Sequence, residues 1–249
     1  MSEKPRLALV TGGTGGIGTA ICRRLAQQGR RVVATCHPAD RDKLQDWVRE
    51  RVAEGFEIGL VAGDVSSAVS CVEMIEQVEQ QFGPVEILVN CAGITRDKTF
   101  KRMGLDHWEA VINTNLNSVY YVSRPVWEGM LDRGFGRIVN ISSVNGQRGQ
   151  FGQVNYSAAK AGMHGFTMAL ALEGAAKGIT VNTVSPGYVE TAMTLAMRDD
   201  VREAIIASVP MRRMGTPEEV ANTVAFLTSD ETTYITGANI PVNGGLFIK

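Results

Sequence analysis

Neither sign of charge is in real excess in this 249-residue chain: 25 Lys and Arg stand against 26 Asp and Glu, a net charge of −1. No long-range field therefore draws in nucleic acid or an anionic membrane, and neither is expected as a partner. Cysteine is sparse, and Cys22, Cys36, Cys71 and Cys91 form no CxxC pair. The three histidines, His37, His107 and His164, show no HExxH or similar spacing. A disulfide framework and a zinc site are both unsupported, and no metal is expected. The opening MSEKPRLALVTGG has no apolar run long enough for a signal peptide or a membrane span, so a reducing cytoplasmic setting is the expectation. Linkers, low-complexity tracts and internal repeats are also missing, which favours one domain over residues 1–249.

What is present is a regular alternation. Short runs rich in Val and Ile predict strands at 6–11, 31–35, 57–63, 87–90, 137–141, 180–185 and 239–242. They are apolar throughout rather than alternating, as in strands of a parallel sheet covered on both faces. Helical segments separate them. Ser66 is the expected cap of a helix with an apolar face at Val69, Val72, Ile75, Val78 and Phe82, ending at Gly83-Pro84. Thr216-Pro217-Glu218-Glu219 reads as an N-cap, a first-turn proline and a capping-box acid. Longer helices are expected at 108–133 and 156–177. Repeated strand–helix–strand order with right-handed crossovers predicts an α/β fold: a doubly wound, seven-stranded parallel sheet with helices on both faces.

The first strand runs into Thr11-Gly12-Gly13-Thr14-Gly15-Gly16-Ile17-Gly18 and then a helical segment. Glycines allow a tight turn and close approach of backbone to a pyrophosphate, whose charge the helix start favours. The spacing is GxxxGxG. With it come Asp64-Val65, Asn90-Cys91-Ala92-Gly93, Asn115-Leu116, Ser142-Ser143, Tyr156-Ser157-Ala158-Ala159-Lys160 and Pro186-Gly187, in order along essentially the whole chain. This ordered set resembles the short-chain dehydrogenase/reductase family, which implies a single-domain Rossmann-type fold. One position departs from the family pattern, which usually has a second Asn where this chain has Cys91. A small structural adjustment is expected there, with Cys91 a small buried hydrophobe rather than a reactive thiol.

Tyr156 and Lys160 lie four residues apart, one turn along the same helix face. A phenol with a pKa near ~10 exchanges protons poorly at neutral pH, and a neighbouring ammonium is expected to lower that value. Ser143 follows the strand of GRIVNISS, at the carboxyl edge where open α/β sheets bind ligands. It is expected to hold a substrate carbonyl against Tyr156. The resemblance implies that Asn115 is a fourth catalytic residue, holding a water that leads to Lys160. Asn113 and Asn117 are read as structural or solvent-facing. Cofactor contacts implied by the motifs are Gly12, Gly13, Gly16, Ile17, Gly18, Asp64 (to the adenine), Val65, Asn90, Ala92, Gly93, Tyr156, Lys160, Pro186, Gly187 and Val189.

The second strand ends in Thr35-Cys36-His37-Pro38, with no carboxylate until Asp40. NAD-specific folds usually place an acid there. Its absence favours NADPH/NADP+, with Arg41 the best nearby cation for a 2′-phosphate and His37 a weaker one. The stretch from Asn140 to Ala171, Gly93-Ile94-Thr95-Arg96-Asp97, Val184-Ser185-Pro186-Gly187-Tyr188 and Asn243-Gly244-Gly245-Leu246 resemble acetoacetyl-CoA reductases of polyhydroxybutyrate synthesis. That subfamily implies an acyl-CoA thioester substrate, reduced to (R)-3-hydroxybutyryl-CoA. Ser143, Gln150, Gln153, Tyr156 and Tyr188 match its substrate-binding positions. The competing reading is a 3-oxoacyl-[acyl-carrier-protein] reductase, whose chemistry is the same. A non-catalytic dinucleotide-binding scaffold is the remote alternative, and the intact Tyr, Lys and glycine loop argue against it. A substrate lid is expected at about 188–213, carrying Arg198, Arg202, Arg212 and Arg213. Family practice also implies a homotetramer built on the two long helices.

Overall fold

In the computed structural model, residues 5–248 are described, the side chains of 41–43 and 193 excepted. Seven parallel strands form one sheet in the order β3-β2-β1-β4-β5-β6-β7. They are β1 (Leu7–Thr11), β2 (Arg31–Cys36), β3 (Ile58–Ala62), β4 (Val85–Asn90), β5 (Gly136–Ile141), β6 (Ile179–Pro186) and β7 (Asn239–Val242). Every expected strand is found, and each boundary falls within two residues of the reading from sequence. The central strands β1, β5 and β6 are buried along their whole length, which explains their unbroken apolar character.

The helices are α1 (Gly16–Gln27), α2 (Leu44–Ala53), α3 (Ala68–Phe82), α4 (Leu105–Ile112), α5 (Ser118–Arg133), α6 (Asn145–Arg148), α7 (Val154–Gly174), α8 (Ala192–Leu195), α9 (Asp199–Ser208) and α10 (Pro217–Leu227). Successive residues of β1 point to opposite faces. Ala8 and Val10 join Ile21 and Leu25 of α1 and Val220 and Val224 of α10. Leu7 and Leu9 join Met74 and Val78 of α3 and Val122 and Val126 of α5. The sheet is thereby covered on both sides, the doubly wound Rossmann-type arrangement.

Three readings of the helices need correction. Ser67, not Ser66, caps α3, accepting from Ser70 N–H at 3.3 Å; Ser66 turns its hydroxyl to Asp64 Oδ1 at 2.7 Å. The buried face of α3 is Cys71, Met74, Ile75 and Val78, while Val69 is 69% exposed. The segment expected as one helix at 108–133 begins at Leu105 and is widened into π geometry at Asn113–Asn117. By contrast, the Thr216–Glu219 capping box forms as read.

The amino edge of the sheet is locked by charge. Arg6 pairs with Glu86 at 2.6 Å and Asp230 at 2.7 Å, and Asp230 also meets Arg30 at 3.2 Å. The Arg6 and Arg137 guanidiniums lie 3.4 and 4.3 Å from the Phe135 ring centre. Arg137 is buried and donates to the carbonyls of Gly136 and Gly178 at 2.9 and 3.0 Å. The carboxyl edge is the opposite end, and strand order reverses direction there between β1 and β4. A crevice at that switch point is where such a sheet takes a ligand.

Candidate active site

A cleft of about 910 Å³ opens at this carboxyl edge. Its first wall is the turn from β1 into α1. Gly12 adopts φ +61, and a Cβ there would lie 2.9 Å from the Ala92 Cα; a Cβ on Gly18 would strike the Gly12 carbonyl oxygen at 2.2 Å. Only glycine allows this close approach. The cap residue Gly15 supplies no side-chain acceptor, and the first turn of α1 has no acidic residue. The first amides of α1 are thus left to an anion, which fits a pyrophosphate. Thr11 Oγ1 accepts from the amides of Cys91 and Ala92 at 3.0 and 3.2 Å, tying the loop after β4 to the glycine turn. Cys91, which lacks the family's Asn side chain, is fixed through its backbone; burial pushes its thiol up to about 11. It is only partly buried, packing against the core on one side and bordering the cleft on the other.

Gly12, Gly16, Ile17, Gly18, Asp64, Val65, Ala92, Gly93, Pro186, Gly187 and Val189 all border the cleft, together with Ser143, Gln153, Tyr156, Lys160 and Tyr188. Asn115 and three expected contacts lie off it. Gly13 seats the turn on β2, donating to Thr35 O at 3.0 Å, and a Cβ on it would lie 2.7 Å from the Ala34 Cβ. Asn90 is buried behind the cleft and donates to Ser123 Oγ at 3.2 Å and Asn140 Oδ1 at 2.8 Å, so it braces β4. Gln150 is exposed on the loop beyond the cleft. The Arg41 side chain lies outside the described residues. Near the end of β2 the cleft is bordered by Thr35, Cys36, His37 and Asp40, and His37 Nε2 sits 3.9 Å from Asp64 Oδ2. Burial works against the Asp64 carboxylate, but hydrogen bonds from Ser66 outweigh it and hold the group below its ordinary range.

Ser143, Tyr156 and Lys160 converge at the inner end. Asn145 N–H donates to Ser143 Oγ at 3.1 Å. The Lys160 ammonium donates to Ile141 O at 2.8 Å and lies 5.6 Å from the centre of the Tyr156 ring. Asn115 is buried. Its Nδ2 donates to Ile94 O and Val111 O, both at 2.9 Å, and its Oδ1 accepts from Ile94 N–H at 3.2 Å. By taking the carbonyl four residues back, this side chain competes with the helix ladder, which accounts for the π widening. A Cβ on Gly93 would lie 2.6 Å from Asn115 Oδ1 and 3.5 Å from Lys160 Nζ, so both groups crowd the same backbone.

The electrostatics differ from the expectation for the tyrosine. Burial pushes the Tyr156 phenol up to about 12, against a hydrogen bond with Ser143 that pulls it down. Burial also pulls the Lys160 ammonium down to about 8. The cation faces the tyrosine ring rather than dominating its hydroxyl, so desolvation prevails.

Sequence reasoning missed Thr191 and Thr194, which border the cleft and close a capping box at the start of α8. The T-x-x-T spacing was the available signal. Over the expected lid, a bridge between Val189 and Gly215 closes the base of the segment. Its arginines are engaged locally: Arg198 with Asp200, Arg202 with Asp199 at 2.7 Å, and Arg213 with Glu219 at 2.6 Å. Arg212 reaches the Ala207 carbonyl at 2.5 Å.

A glycine turn at the head of a doubly wound parallel sheet, facing a Ser, Tyr and Lys cluster, defines a dinucleotide-binding protein of the Rossmann class. The sequence model of a family described as enoyl-(acyl carrier protein) reductase matches residues 12–247. The chain belongs to the short-chain dehydrogenase/reductase family. It is 68% identical over 243 residues to an acetoacetyl-CoA reductase of Allochromatium vinosum, covering 98% of this chain and 99% of that one. An acetoacetyl-CoA reductase of Cupriavidus necator is 54% identical, covering 97% and 98%. A 3-oxoacyl-[acyl-carrier-protein] reductase of Pseudomonas aeruginosa is 46% identical over both full lengths.

Proposed function

We propose that the protein reduces acetoacetyl-CoA to (R)-3-hydroxybutyryl-CoA with NADPH, the reductive step of polyhydroxybutyrate synthesis. The observation that carries this reading is the full-length similarity to two reductases of that name, 68% and 54% identical against 46% for the carrier-protein reductase, in a chain whose Ser143, Tyr156 and Lys160 meet in one cleft. Gly12, Gly16 and Gly18 would cradle the pyrophosphate, and Asp64 and Val65 would border the adenine. The end of β2 supports NADPH, because Thr35 and Cys36 present no fixed negative charge to a 2′-phosphate, His37 stands beside them, and the acid that borders the cleft here, Asp40, comes only after the strand has ended.

When bound, the reduced nicotinamide supplies the hydride. Ser143 accepts from Asn145 N–H, and its own proton, which faces Tyr156, would turn to the ketone oxygen when substrate enters. Tyr156, protonated throughout the neutral range, donates its proton to that oxygen as negative charge develops. Lys160 would hold the nicotinamide ribose and return a proton to Tyr156, while Asn115 fixes the Ile94 loop beside it. Gln153, fixed by Asp97 at 2.8 Å and Asn145 at 2.9 Å, and Tyr188, which also borders the cleft, would meet the acyl group. Residues 188–213 act as the lid.

No helix among the described residues is long and apolar enough to cross a membrane, in keeping with a cytoplasmic enzyme. Exposed Tyr120 on α5 and Met168 and Leu172 on α7 offer an apolar face to further copies in a homotetramer. The test compares acetoacetyl-CoA with acetoacetyl-[acyl-carrier-protein] at matched concentrations, following loss of reduced nicotinamide absorbance, with Tyr156→Phe as control. Preference for the CoA ester, abolished in the control, is expected. Preference for the carrier-bound substrate would move the enzyme to fatty-acid elongation. No turnover of either would overturn the 3-ketothioester reading.

A further inference from the structure

We propose that His164 is a positioning residue of the reductase proposed above, fixing the distance between the segment that carries Ser143 and the helix that carries Tyr156 and Lys160. The argument begins with protons. Ser142 Oγ lies 2.8 Å from Lys160 O, an atom that can only accept, so the single hydroxyl proton of Ser142 is spent there. His164 Nε2 lies 3.0 Å from the same Ser142 Oγ. For that contact to be a hydrogen bond, Nε2 must carry the proton and donate. Ser185 repeats the pattern: its hydroxyl is spent on Asn239 Oδ1 at 2.7 Å, and His164 Nε2 stands 3.4 Å from its oxygen. One N–H therefore serves two buried hydroxyl oxygens, both already committed as donors.

The three chain segments so joined are those that line the reacting end of the cleft. Ser142 extends β5 and precedes Ser143. Ser185 lies on β6 immediately before Pro186-Gly187, which border the cleft. His164 lies on α7 at the third position of the stripe Tyr156, Lys160, His164, spaced four by four on one helix face. It sits about 12 Å along the helix axis from Tyr156. Lys160 is held at both ends by the same strand: its ammonium by Ile141 O and its carbonyl by Ser142 Oγ. His164 completes this clasp by polarising the Ser142 hydroxyl and anchoring the turn below. An apolar residue of equal volume would leave α7 free to roll against β5, and the tyrosine hydroxyl would move relative to Ser143.

The test compares wild type with His164→Leu, His164→Asn and His164→Gln in steady-state reduction of acetoacetyl-CoA. Each protein is also given an NADPH titration by fluorescence and a thermal melt. The Gln side-chain amide can donate from the position of Nε2; Asn stops one bond short and Leu cannot donate. The expected result is a kcat lowered about tenfold in Leu and Asn, with NADPH Kd unchanged, and most of kcat restored in Gln. If Leu does not fold, Asn against Gln makes the same comparison. Unchanged kcat per folded site with only a lower Tm, or Gln no better than the others, would overturn the proposal. An inactive wild type would instead count against the reductase reading itself.

Discussion

Tyr156 and Lys160 are both driven toward neutrality by burial, the phenol up to about 12 and the ammonium down to about 8. For reduction, a phenol that stays protonated is the useful state, and Lys160 is the group whose charge changes in an accessible range. The rate of ketone reduction should therefore be level through neutral pH and fall as pH rises past about 8. A kcat profile at saturating substrate and cofactor checks this; an alkaline limb well away from that value would remove Lys160 as its source. The same shift has a stability consequence. Folded Lys160 releases its proton near 8 and the unfolded chain near 10.5, so between these values the unfolded state binds more protons and rising pH favours the fold. The cost of burying the ammonium is full below pH 8 and relieved by 10.5. The Tm difference between wild type and Lys160→Met should accordingly move in favour of wild type across that window, as melts at several pH values would show. The pairing itself was legible in the YxxxK spacing. The direction of the tyrosine shift was not, because it depends on how deeply the ring is buried.

Among the elements, the π segment at Asn113–Asn117 has the clearest role. Asn115 spends both amide protons on Val111 O and Ile94 O and accepts from Ile94 N–H, joining the widened helix to the loop beside Lys160. Asn115→Ala should lower kcat by at least about tenfold, more than it weakens NADPH binding, since the loop that borders the reacting end loses its tether. Steady-state kinetics with a cofactor titration would reveal the split; equal loss in both would point to general damage. At α10 a different outcome is expected. Thr216→Ala removes the cap and should cost about 1 kcal/mol in a urea titration while leaving kcat alone. That capping box was readable because its residue types have one good use. The face of α3 was misread because Val69 and Val72 look like core by type, whereas Cys71 and Met74 fill the space beneath the sheet. Ser66 and Ser67 are chemically identical candidates for a cap, and only the position of Asp64 decides between them.

For the whole molecule, the parallel order puts every strand's carboxyl end on one side, so the glycine turn, Ser143 and the Pro186-Gly187 turn share one cleft although they are far apart in sequence. This arrangement was legible early, because unbroken apolar strands alternating with helices admit few topologies. Which residues stand in front of the cleft and which behind it was not: Asn90 and Gly13 carry family-like motifs yet act as braces. Because a ligand that binds only the folded state stabilises it, NADPH should raise Tm more than NADH at equal concentration, a difference readable in a melt series. Equal shifts would remove the preference argued from the end of β2. The opposite, amino edge is closed by Arg6, Glu86, Asp230 and Arg137 around Phe135. Its distance from the cleft makes it the natural place to bolt the enzyme to a bead or an electrode. Linkage through that edge should leave the catalytic mouth facing the medium, whereas linkage beyond β7 would tug on Asn243, against which Gly187 rests.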